Sequence, residues 1–159
     1  MIKEFEPVTE EVLRLVAEWE PKLLALPEEL ISVKRNKQGR TIRQIVGHMV
    51  DSASNNTHRM VHLQYRKCPL DFPNYATEGN NDRWIAIQNY QEEDWGILVM
   101  LWEYSNLHVV HVIKNINPGK LENEWIASPG NFIPLSEMAV DYLRHFKLHL
   151  GEIDEIINS

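Results

Sequence analysis

The stretch from Leu135 to Ile157 sets the terms for the rest of the chain. Leu135, Met138, Ala139, Tyr142, Leu143, Phe146, Leu150, Ile153, Ile156 and Ile157 recur at three- and four-residue steps. That spacing draws one apolar stripe along a helix. Two histidines interrupt it. At about 100° per residue, His149 points within roughly 60° of the stripe centre and His145 within roughly 100°. Residues four apart are neighbours on a helix face, so the two imidazoles could share a metal ion. The plainer reading is a pair of core histidines whose ring nitrogens find ordinary hydrogen-bond partners. Two at this spacing on the inner face favour a ligand pair.

Three more helices follow from the same periodicity. Val12, Leu15, Val16 and Trp19 mark the first, from about Thr9 as N-cap to about residue 26, with a kink or restart at Pro21. The second opens on Thr41-Ile42-Arg43-Gln44, a capping box. Ile42, Ile45, Val46, Met49, Ala53 and Met60 continue it to about residue 66. Its histidines separate by phase. His48 lies on the flank of the stripe, together with Ser52 and Arg59, with Asn55 slightly further round. His58 and His62 turn to solvent. Trp95, Leu98, Val99, Trp102, Val109, Val110 and Ile113 mark the third helix, near 91–116, which Asn117-Pro118-Gly119 stops. His108 and His111 fall on its outer side. The long connections, Cys68 to Arg83 and Lys120 to Pro134, carry loop residues, with Asp82 as a candidate cap for a short helix around Trp84, Ile85 and Ile87. No strand pattern competes. The expected fold is an all-α four-helix bundle, one domain over residues 1–159. Metal sites in such bundles are commonly built from inward side chains on facing helices.

Composition narrows the function. The 159 residues are 43% hydrophobic and 25% charged, ordinary values for a globular domain. A net charge of -7 without a basic stripe argues against nucleic acid as a partner. No purely apolar run approaches a bilayer span, and Met1 to Glu6 has no signal-peptide core, so no membrane partner is expected. The single cysteine, Cys68, excludes an intrachain disulfide and suits a reducing, cytoplasmic setting.

Three histidines therefore remain: His48, His145 and His149. Three imidazoles with open positions form the arrangement of a catalytic divalent-metal site. Imidazole suits Zn, Ni, Cu or Fe alike. This is not the metalloprotease motif, because Phe146 rather than Glu follows His145.

At these residues the chain resembles the DinB/YfiT-like superfamily over nearly its whole length. Gly39 to Ser52 is similar to the family's second-helix segment, a histidine followed three residues later by an acidic residue. Asp141 to Leu150 is similar to its closing H-x-x-x-H-L motif. The resemblance implies a four-helix bundle, often a homodimer, whose matching histidines bind a divalent metal; the donor chemistry suits Zn, Ni or Fe. Characterised members of the family include thiol-dependent S-transferases and a maleylpyruvate isomerase, which implies a low-molecular-weight thiol as a possible cosubstrate. One departure is visible. Arg40 stands where the family often has tryptophan, at the rim of the site.

A metal on three neutral imidazoles keeps its charge. It supports either hydrolysis or thiol transfer on a small molecule, and the triad does not separate the two. Asp51 is a candidate catalytic residue, as a base or as an orienter of His48, or else a solvated carboxylate. Asp141 is a weaker candidate of the same kind. Ser52, Asn55 and Arg59 are candidate substrate contacts, against the plainer reading of an exposed polar flank. A non-catalytic bundle that binds metal or sequesters a small molecule stays open.

Overall fold

The computed structural model describes residues 2–159; Met1 lies outside them. In chain order the elements are α1 (Glu6–Leu24), α2 (Glu28–Ser32), α3 (Ile42–Tyr65), α4 (Asn80–Gln88), α5 (Trp95–Lys114), β1 (Glu124–Ser128), β2 (Asn131–Pro134) and α6 (Leu135–Ile157). The four long helices α1, α3, α5 and α6 make the expected bundle. Around its axis α1 neighbours α5 and α6, and α3 neighbours the same two. The adjacency of α3 and α6 matters most, because it joins the helix carrying His48 to the one carrying His145 and His149. Across one diagonal of the bundle, α5 and α6 meet through large side chains. Trp102 of α5, fully buried, stacks on Phe146 of α6 at 5.8 Å between ring centroids. Tyr142 of α6 donates to Asn106 Oδ1 of α5 at 2.6 Å.

The capping box forms as its residues require. Gln44 N–H donates to Thr41 Oγ1 at 3.3 Å, and Thr41 N–H to Gln44 Oε1 at 3.0 Å. Other boundaries differ from the sequence expectation. Helix α1 starts at Glu6 with Pro7 in its first turn, and Thr9 is an interior residue whose hydroxyl donates to the Glu6 carbonyl at 3.1 Å. The helix runs unbroken past Pro21. Both Pro21 and Ala17, whose carbonyl loses its helical donor, are exposed, which leaves that carbonyl open to solvent. Helix α5 begins at Trp95, because Asp94 caps it by accepting from Ile97 N–H at 2.9 Å; Tyr90 to Glu92 form a separate 3-10 turn. Helix α4 starts after Gly79, which takes a left-handed φ of 72°. Asp82 does not cap it and instead pairs with Arg40 at 2.6 Å.

One reading needs correction. A β-hairpin is present: β1 and β2 pair antiparallel around Pro129-Gly130, and Leu70 adds a parallel bridge to Trp125. The strand sequences Glu124-Trp125-Ile126-Ala127-Ser128 and Asn131-Phe132-Ile133-Pro134 set apolar residues side by side, so neither shows the polar–apolar alternation that marks a strand. Helix α5 is long and apolar enough, by length and composition, to cross a membrane. Its polar residues Glu103, Ser105 and Asn106 interrupt the apolar run that the sequence reading looked for. In the bundle, Leu98, Val99, Trp102, Val109, Val110 and Ile113 are its buried face.

Candidate metal centre

Residues 45–53 of α3 are buried without a break, because α5, α6, α4 and the 3-10 turn all pack on this part of the helix. His48 sits within this span and faces α6. His48 Nε2 lies 3.0 Å from His149 Nε2, and His149 Nε2 lies 3.1 Å from His145 Nε2. One ligand atom from each of the three falls within 4.8 Å of the others. The sequence-predicted triad therefore converges, with His48 and His149 buried and His145 half-buried.

The opposite ring nitrogens are each engaged. His149 Nδ1 is 3.0 Å from Glu152 Oε2, His145 Nδ1 is 3.3 Å from Ser52 Oγ, and His48 Nδ1 contacts the Tyr75 hydroxyl. A carboxylate only accepts, so His149 carries its proton on Nδ1 and turns the lone pair of Nε2 inward. The same tautomer at His48 lets Nδ1–H donate to Tyr75, whose own hydroxyl reaches the His48 carbonyl at 3.4 Å. An imidazole nitrogen has one in-plane lone pair, and His149 Nε2 faces two neighbouring nitrogens. A single proton satisfies only one of those contacts. A cation satisfies all of them, and Zn–N bonds of about 2.0–2.1 Å hold imidazole nitrogens roughly 3–3.4 Å apart.

Electrostatics favour the ligand form. Burial, followed by the charges of His149, Arg40 and His145, pushes His48 down to about 2. Burial and His149, with smaller effects from Arg144 and Arg59, push His145 down to about 4 despite Asp141. Both rings are thus neutral near pH 7, as metal binding requires.

A cleft of about 470 Å³ opens onto the triad. Ser52 and Arg59 line it as expected, and Arg40 does too, at the rim position that the sequence marked. Asn55 does not. It is buried with its amide donating to the Asp51 carbonyl at 2.9 Å, and Asn56, one residue on, faces the cleft instead. Asp141 reaches the wall but is exposed and paired to Arg144 at 2.5 Å.

Asp51 neither contacts His48 nor lines the cleft. Its Oδ1 accepts from Tyr90 at 2.6 Å and from Gln88 at 2.7 Å, tying α3 to α4 and the 3-10 turn. Neither is it solvated, being 2% exposed. Phase against a single stripe misplaces it because this part of α3 has no solvent face. Burial raises Asp51 to about 6 from 3.8, against the lowering effect of the Tyr90 and Gln88 bonds. A raised folded-state pKa means that the stabilising contribution is complete below the unfolded value and is lost as pH rises through about 6. Asp51→Asn keeps an acceptor and carries no charge. It is expected to raise the melting temperature at pH 7.5 and to have little effect at pH 4. A pH-independent difference between the two proteins would contradict this assignment.

Three residues at the site escape the sequence reading: Glu152, Tyr75 and Trp125. Glu152 had a signal, since it stands three residues after His149 on the same helix face. Tyr75 and Trp125 lie in a loop and in the hairpin, where no periodicity reports direction. The other four histidines stay apart from the triad. His58, His108 and His111 are exposed, and His62 is half-buried against the Tyr65 hydroxyl at 2.6 Å. Replacing all four with glutamine is expected to leave metal content unchanged by elemental analysis. Loss of metal from that variant would show that the faces are wrongly assigned.

No protein-family profile matches the sequence, and no curated protein matches it. Solved structures do. YfiT from Bacillus subtilis, described as a probable metal-dependent hydrolase with an unusual four-helix bundle topology, superposes with a TM-score of 0.76 at 16% identity, over 95% of this chain and 86% of that one. A mycothiol-dependent maleylpyruvate isomerase superposes with a TM-score of 0.70 at 16% identity, over 92% of this chain. A histidine-to-alanine variant of that isomerase gives the same TM-score. The chain spans 60% of the isomerase's length. At this level of identity the likeness speaks for architecture, and this chain has a four-helix-bundle fold like that of YfiT.

Proposed function

We propose that this chain is a divalent-metal-dependent enzyme acting on a small molecule, with His48, His145 and His149 as ligands and thiol S-transfer as its chemistry. One observation carries the metal assignment: three Nε2 atoms face one another while each Nδ1 is held from behind. Partners on Nδ1 fix ring orientation and tautomer, and a carboxylate partner also raises ligand basicity. Zn, Ni and Fe all suit this donor set. A divalent ion there supplies a Lewis acid that favours the deprotonated form of a nucleophile near neutral pH.

The surrounding side chains favour a thiol over water. A hydrolase commonly places a carboxylate base beside its nucleophile. Among the described residues, the one carboxylate within hydrogen-bonding reach of the triad is Glu152, and it is committed to His149 Nδ1. Asp51 is turned away toward Tyr90. A thiol, intrinsically far more acidic than water, has less need of such a base. Hydrolysis is the second reading, supported by the description of YfiT. Within this proposal Asp51 positions Tyr90 and α4 behind the site and performs no chemistry.

The test is elemental analysis of untreated protein, followed by a conjugation screen with low-molecular-weight thiols on the same sample. The expected result is stoichiometric divalent metal and thiol-dependent consumption of an electrophile that chelation abolishes. Ester or amide cleavage without thiol would replace transfer by hydrolysis. Metal with neither activity would leave a binding bundle, and protein that takes up no divalent metal would end the proposal.

A further inference from the structure

Arg59 is a buried cation without an anion. It is 8% exposed, and its guanidinium stacks over the Trp125 ring at 4.1 Å. Its one side-chain hydrogen bond runs from an Nη to Asn56 Oδ1 at 3.3 Å, and its Nε has no partner. Among the described residues no carboxylate lies within ion-pair distance of it. Of the carboxylates that line the cleft, Glu152 is held by His149 and Asp141 by Arg144, while Glu137 is exposed and does not reach Arg59. A guanidinium removed from water and left unpaired is costly. Arg59 nevertheless lines the same cleft as His145 and His149, close enough that its charge lowers the proton affinity of His145.

We infer that Arg59, held flat against Trp125, is the anchor of a carboxylate-binding subsite, and that the substrate is a small molecule bearing a carboxylate at one end and its reacting group at the other. A planar fork of N–H donors matches a carboxylate. With one face covered by Trp125, the guanidinium still lines the cleft. A phosphate dianion fits less well, because Glu137 and Asp141 also line the cleft and would repel the second charge. The inference rests on the cleft being the substrate site of the proposed enzyme.

The test runs on metal-free, chelated protein, so it does not depend on the triad. The side-chain Nε–H resonance of Arg59 is followed by NMR while butyrate or butyramide is titrated. The expected result is saturable binding of butyrate, about tenfold or more tighter than butyramide, with the Arg59 signal moving on butyrate alone. Arg59→Gln should erase the preference, and Arg59→Lys, which keeps a charge without the fork, should retain only part of it. Were Arg59 only a packing partner for Trp125, wild-type protein would bind the two probes alike, and that result overturns the inference whether or not the variants fold. Metal uptake is measured on separate, unchelated samples, where Arg59→Gln should match wild type. A wild-type protein that takes up no metal would end the enzyme proposal while the butyrate result stood. Equal binding of the probes would end this inference while the metal result stood.

Discussion

Replacing His145 and His149 together with alanine is expected to strip the protein of its divalent metal and abolish metal-dependent activity, while leaving the bundle helical. Each single replacement should already weaken metal affinity by more than about 100-fold, since losing even an outer hydrogen-bond partner of a ligand costs roughly 10–100-fold. The fold should tolerate the change. The stripe that packs α6 is built by Leu135, Ala139, Tyr142, Phe146, Leu150 and Ile153, all buried and none dependent on imidazole. Metal-free wild type also carries an internal conflict, because His149 Nε2 faces two nitrogens with one lone pair. Removing both imidazoles relieves that conflict and offsets part of the lost packing. The melting temperature of the metal-free double variant should therefore lie near that of metal-free wild type. Added metal should stabilise only wild type, by mass action on the folded state. Full metal occupancy in the double variant, checked by elemental analysis beside a circular dichroism spectrum, would remove the triad and the functional reading with it.

The sequence makes this triad legible for a definable reason. Helical phase reports direction where a helix has one buried face, as α6 does, and there His145 and His149 were placed correctly. The capping box at Thr41 and Gln44 is equally local and forms as read. Phase fails on the middle of α3, which is enclosed on all sides. His48 is reachable from its flank position, but Asp51 lies inside the enclosed span, and Asn55 turns inward while its neighbour Asn56 faces the cleft. The loop and hairpin that close the cleft obey no period. Tyr75 reaches His48 across 27 residues of sequence and Trp125 reaches Arg59 across a different connection, and only tertiary packing sets those meetings. Arg40 marks the middle ground. Its position at the rim was visible as a departure from a family pattern, while its pairing with Asp82 was not.

Gly47 connects the packing of α3 to this site. An alanine Cβ at that position would lie 2.2 Å from Tyr90 Cδ2 and 2.3 Å from Tyr90 Cγ, far inside the roughly 3.5–4.0 Å of normal carbon contact. Helix α3 cannot retreat, because Ile45 and Val46 are fully buried on its other faces. The Tyr90 ring, 2% exposed, must move instead, and its hydroxyl then leaves Asp51. Gly47→Ala is expected to destabilise the protein by about 2–4 kcal/mol in urea or thermal unfolding. Tyr90→Ala removes the obstacle at a cost of its own, about 3–5 kcal/mol for a large buried aromatic. In that background Gly47→Ala should change sign, stabilising by up to about 1 kcal/mol, because alanine is the better helix former and nothing opposes its methyl group. The two substitutions therefore couple strongly in a double-mutant cycle. If Gly47→Ala costs the same with and without the Tyr90 ring, the close approach of Tyr90 is not what requires glycine at this turn of α3.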